Sequence, residues 1–130
     1  MESNLFESVP KNNKYLSMFF RQDREPDYEK VVKTLDFSKK QIAAAARVPL
    51  DSVRYDNRIS KDLQDRVREW AVVLALVAEH FNGDPQKTEL WFRIPNPLLG
   101  NISPRDMIRF GRFKKLLKFI QNAVSENKPP

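Results

Sequence analysis

The chain has 130 residues, 41% of them apolar and 31% charged, a balance that suits one compact domain or two small ones sharing a core and excludes wholesale disorder. With no cysteine, disulfides, thiolate zinc sites, iron–sulfur clusters and cysteine nucleophiles are excluded together, and the single histidine, His80, leaves only carboxylates around it from which to build a metal site. The net charge of +6 suggests nucleic acid or an acidic partner, yet residues 1–60 carry 11 basic and 9 acidic side chains, residues 61–100 carry 5 and 6, and residues 101–130 carry 7 and 2.

Apolar residues recur at three- and four-residue spacing, and β-branched alternation is nearly absent, so the pattern predicts an all-α fold. Residues 1–26 read as an N-terminal arm or short helix, with the apolar cluster Tyr15, Leu16, Met18, Phe19 and Phe20 packing on the body. After Pro26, Asp27 is an N-cap, and Val31, Val32 and Leu35 fall on one helical face. Ser38 caps a second helix through the alanine run Ala43 to Ala46. Pro49 then opens a third, short helix to about Tyr55.

Residues 38–58 therefore have the spacing of a helix-turn-helix, within a candidate DNA-binding region of residues 27–62. Ala43 is small where the helices cross, Ile42 and Val48 anchor the two sides of the turn, and Val53 anchors the second helix. That leaves Leu50, Asp51, Ser52, Arg54, Tyr55 and Arg58 to face a major groove, with Ser38 and its helix N-terminus against a phosphate. Arg47 occupies the turn position that usually carries glycine, so it either adopts a left-handed backbone or reshapes the turn. A helical hairpin that only packs remains the alternative.

Near Lys61 a long helix begins, with Leu63, Val67, Trp70, Leu74, Val77 and Phe81 stepping by four and three and further apolar residues widening the surface. It reads as a central strut or a dimer seam. Its apolar run, residues 70–78, is half a membrane span. The first residues lack a positive segment followed by an apolar stretch, so a cytoplasmic protein is expected. Gly83 stops the helix; Asp84 and Pro85 start another that ends before Pro95. Residues 96–101 form a loop, Ser103 and Pro104 open a helix that Gly111 ends, and a final helix buries Phe113, Leu116, Leu117, Ile120 and Val124. Residues 63–124 thus make a second helical domain, one that could serve dimerisation, and residues 125–130 a flexible tail.

One stretch is more specific. Residues 78–87 read Ala-Glu-His-Phe-Asn-Gly-Asp-Pro-Gln-Lys. Leu90, Trp91 and Phe92 follow, then Ile94, Pro95, Asn96, Pro97, Leu98, Leu99 and Gly100, then Ile102, Ser103, Pro104, Arg105, Asp106 and Met107, and finally Phe110 and Gly111. In order and spacing this run resembles the toxin-binding domain of the Xre/MbcA/ParS antitoxin family, across residues 70–124. The family places a helix-turn-helix upstream, where this chain has its own candidate. The resemblance implies a type II antitoxin that neutralises a partner toxin, often a RES-type NAD-consuming enzyme, and represses its own promoter as a dimer or a toxin–antitoxin complex. It implies no enzyme activity and no cofactor. Toxin contacts are expected from Pro97, Leu98, Leu99 and Asn101, and from Arg105, Arg109, Arg112, Lys115 and Lys118 against an acidic rim. Where the family has a second glycine this chain has Asn101, which tolerates a left-handed backbone.

The rival readings use the same residues differently. One is a solitary transcription regulator whose C-terminal domain only dimerises. Another is a protein-binding adaptor that has lost DNA binding, for which Arg47 in the turn is the hint. An enzyme would need His80 with Glu79 or Asp84, and no nucleophile elbow, phosphate-cradling glycine loop or metal spacing accompanies them.

Overall fold

The computed structural model describes residues 15–126. Residues 1–14 of the expected arm and residues 127–130 of the expected tail lie outside that range. The described residues are all-helical, with no strand. Six α-helices follow in order: α1 (Tyr28–Leu35), α2 (Lys39–Ala46), α3 (Lys61–His80), α4 (Pro85–Arg93), α5 (Pro104–Arg109) and α6 (Phe113–Ser125).

Five of the six helices begin on a side-chain oxygen that accepts an orphan backbone N–H. The caps are Asp27, Ser38, Ser60, Asp84 and Ser103. Ser38 and Gln41 form a reciprocal capping box. Pro85 and Pro104 sit at the first helical position, where a missing N–H costs nothing.

The helix ends are equally local. Asp36, Arg47, Asn82 and Gly111 adopt left-handed backbone just past α1, α2, α3 and α5. In each case the N–H of the next residue reaches back into the helix, as Val48 does to the Ala43 carbonyl at 3.0 Å. Arg47 therefore takes the first of the two options its position allows, with φ 57° and ψ 47°. Gly83 follows at φ 81°, and a β-carbon there would meet the Tyr15 ring at 2.6 Å.

Helix α3 is the strut. Every residue from Trp70 to Ala78 is buried, along with Leu63 and Val67. Around it pack α1, α2, α4, α6 and a one-turn 3-10 helix at Leu16–Met18. Helix α5 bridges α2, α4 and α6 on the outside. One core results, running from Phe19 through Leu35, Phe37 and Ile42 to Phe92, Ile108 and Ile120. Phe37, between α1 and α2, packs edge-on against Trp70 at 5.5 Å.

Two arginines from the C-terminal half close the end of α1. Arg93 Nη2 donates to the carbonyls of Lys33 and Thr34 at 3.5 and 3.2 Å. Arg105 donates to Leu35 from Nε at 2.7 Å and to Asp36 from Nη2 at 2.8 Å, with its guanidinium 5.3 Å from the Phe37 ring centre. The last three carbonyls of α1, Lys33, Thr34 and Leu35, and that of the C-cap Asp36 are thus met by residues some 60 to 70 positions away.

Two expectations need correction. The helix from Pro49 to about Tyr55 is a single 3-10 turn, Leu50–Ser52, after which Val53 is extended. Val124 is exposed rather than part of the α6 stripe, and Leu117 is only half-buried. Trp91 is half-buried, while its neighbour Phe92 is the fully buried one of the pair.

Candidate functional site

The segment expected to read DNA is held by its own chain. Arg54 makes a two-pronged pair with Asp56, Nε to Oδ1 at 2.8 Å and Nη2 to Oδ2 at 2.6 Å. That guanidinium, with the Arg58 backbone N–H, holds the Asp56 carboxyl down to about 2. Tyr55 is half-buried and stacks on Tyr28 at 5.8 Å, the planes 11° apart. Ser52 is half-buried, whereas Leu50, Asp51 and Arg58 are exposed. Ser38 is exposed, but its hydroxyl is engaged by the Gln41 N–H. Without a helix beneath them, these side chains do not share a helical face.

The loop expected to meet a partner is ordered around Asn96. Its side chain accepts from Leu98 N at 2.9 Å, its carbonyl accepts from Leu99 and Asn101 N, and its own N–H donates to the Ile102 carbonyl at 3.1 Å. Gly100 and Asn101 are left-handed at φ 73° and 63°, so asparagine does serve where a second glycine would. A 3-10 turn at Pro97–Leu99 results, with Leu98 72% exposed and Leu99 packed inward. Just before it, Leu90 on α4 and Ile94, the extended residue that ends it, are 56% and 48% exposed. Leu90 and Ile94 were not singled out in the sequence, because nothing in a three-four spacing tells an outward leucine from an inward one.

The expected basic contacts separate into two kinds. Arg105 is occupied with α1, and Arg109 pairs with Asp106 at 2.8 Å. Arg112, Lys115 and Lys118 are exposed, with no ion pair among the described residues. Arg112 and Lys115 border a half-open cleft of about 520 Å3, together with Arg47, Arg66 and Lys114. Its floor is Ala45, Ala46, Trp70, Ile108 and Phe113, and its one carboxylate is Glu69. Helix α6 starts at this cleft without a side-chain cap and with no acidic residue in its first turn. Arg47 was read from the sequence only for its place in the turn, and Arg66 and Lys114 were not read as site residues, because three separate elements bring them together.

No group of histidine, aspartate and glutamate among the described residues has the arrangement to hold a metal ion. His80 is exposed, its ring edge-on to Phe81 at 4.9 Å. No described helix is long and apolar enough to cross a membrane.

No protein-family model matches the chain. No curated protein matches it significantly. Among solved structures, the chain is similar to a chain of the crystal structure of the M. tuberculosis MbcT–MbcA toxin–antitoxin complex, at 20% identity and a TM-score of 0.49, covering 92% of this chain and 97% of that one.

Proposed function

We propose that the chain is the antitoxin of a type II toxin–antitoxin pair. It binds a cognate protein toxin, in this reading a RES-type NAD-consuming enzyme, and holds it inactive. It also binds its own promoter as an autorepressor, as a homodimer or within the toxin complex, in the cytoplasm, without catalysis of its own. One observation carries the toxin-binding half. The Asn96-centred turn inside the family-like run is held by backbone hydrogen bonds, yet it presents Leu98 outward, and Leu90 and Ile94 just before it are exposed as well. Ordered apolar side chains displayed on a fixed scaffold are what a protein partner buries.

The test is co-expression with the protein encoded by the adjacent reading frame. The two should co-purify, and the chain should rescue growth from its neighbour's toxicity. Ile94→Asp with Leu98→Asp should weaken the complex at least about tenfold, the scale of one lost apolar anchor, and leave the melting temperature of the free chain unchanged. If the neighbour neither co-purifies nor is toxic, the antitoxin reading falls and the solitary regulator takes its place.

A further inference from the structure

Five cations meet one carboxylate around the cleft between α2, α3 and α6: Arg47, Arg66, Arg112, Lys114 and Lys115 against Glu69. Glu69 Oε1 lies 3.0 Å from Arg66 Nε, an ion pair within the cleft wall. The other four cations have no counterion among the described residues. Gathering like charges works against folding unless something offsets their repulsion. Arg47 adds a backbone cost, since it holds the left-handed conformation at φ 57° where glycine is at ease. Its guanidinium lies close to Gly111, at the start of the turn that carries Arg112.

We propose that this cleft, with the adjoining outer face of α6, grips the phosphate backbone of duplex DNA. The proposal rests on the DNA-binding part of the function above and moves that activity away from residues 50–58. Two observations favour a phosphate chain over an acidic protein. The larger floor side chains Trp70, Ile108 and Phe113 are buried and only Ala45 is half-buried, so no large apolar side chain stands out as an anchor, and the two lysines belong to a type depleted at protein interfaces. Backbone binding needs only cations placed along a path. That path continues beyond the cleft: Lys118 stands one turn along α6 from Lys114 and is exposed, which extends the site past the reach of a single phosphate.

The experiment titrates the full chain into a labelled duplex from upstream of its own reading frame, by fluorescence anisotropy at several salt concentrations. Three variants accompany the wild type: Arg112→Gln/Lys114→Gln/Lys115→Gln, the charge-preserving Lys114→Arg/Lys115→Arg, and Arg54→Gln/Arg58→Gln. The triple variant should bind at least about a hundredfold more weakly near 0.1 M salt and flatten the log–log salt slope by about three. The charge-preserving variant should bind as the wild type does, and the Arg54/Arg58 variant should lose less than about threefold, below one phosphate contact. If the wild type binds but only the Arg54/Arg58 variant fails, the cleft is overturned and the DNA-binding reading stands. If the wild type binds no duplex, the DNA-binding reading itself falls. If the triple variant keeps DNA and loses the co-purifying toxin, the cleft is an acidic-protein surface and the proposal is wrong.

Discussion

At the scale of single residues, three side chains carry consequences. Arg105 was expected to meet a toxin and instead closes α1 with two charge-assisted hydrogen bonds. Arg105→Ala should therefore lower stability by about 2 kcal/mol, allowing for water reaching the freed carbonyls, and a urea melt of the free chain reads it directly. A purely toxin-facing arginine would leave that midpoint where it was. Arg47→Gly should act in the opposite sense, raising stability by about 1 kcal/mol by relieving the left-handed backbone while weakening duplex binding about tenfold, one phosphate contact. Tyr28 is buried, and its hydroxyl donates to Glu25 Oε2 at 3.1 Å. Burial first, then that hydrogen bond, pushes the phenol up to about 12. The folded chain thus holds this proton more tightly than the unfolded one. Its contribution to stability is complete below pH 10 and is lost as pH rises towards 12. Absorbance of the tyrosinate should show a phase in that upper range, and Tyr28→Phe should diminish it.

At the scale of elements, what was legible was whatever is decided within a few residues. Asp27, Ser38, Asp84-Pro85 and Ser103-Pro104 announce their helices because a cap and its N–H lie three positions apart. Gly83 and Gly111 mark ends for the same reason. The helix expected at residues 49–55 failed because its competitors are not helical neighbours. Asp56 captures both the Arg54 side chain and the Arg58 N–H, and Tyr55 is drawn onto Tyr28, 27 positions away. Seven residues give too few hydrogen bonds to outweigh these contacts and the cost of a helical nucleus. The same locality makes a prediction for α5, which is only six residues long. Ser103 is buried and its hydroxyl accepts the Asp106 N–H at 3.1 Å. Ser103→Ala should cost about 1 to 2 kcal/mol, and hydrogen exchange should place the loss at Asp106 and Met107. Uniform loss of protection across the chain would show that the cap is not what holds this helix.

At the scale of the molecule, a DNA-binding half and a toxin-binding half read from the sequence as consecutive domains, but the packing gives them no separate interiors. Trp70, Val73 and their neighbours on α3 are shared by Val31, Leu35, Phe37 and Ile42 on one side and Leu116 and Ile120 on the other. Arg93 and Arg105 reach from the second segment to finish a helix of the first. Cut at residue 62, the remainder would expose an apolar flank of α3 and leave both guanidiniums without their carbonyls. Unfolding should accordingly be a single cooperative event. Tryptophan fluorescence, which reports buried Trp70 and half-buried Trp91, and far-ultraviolet circular dichroism should trace one urea transition with a common midpoint. Leu74→Ala, which empties a fully buried position on the strut, should shift both traces together by about 2 to 5 kcal/mol. Two separated transitions, or a chain truncated to residues 63–126 that melts at the midpoint of the full protein, would restore the two-domain view. Coincident curves would mean that the Asn96 turn and the α6 cleft are supported by one cooperative interior.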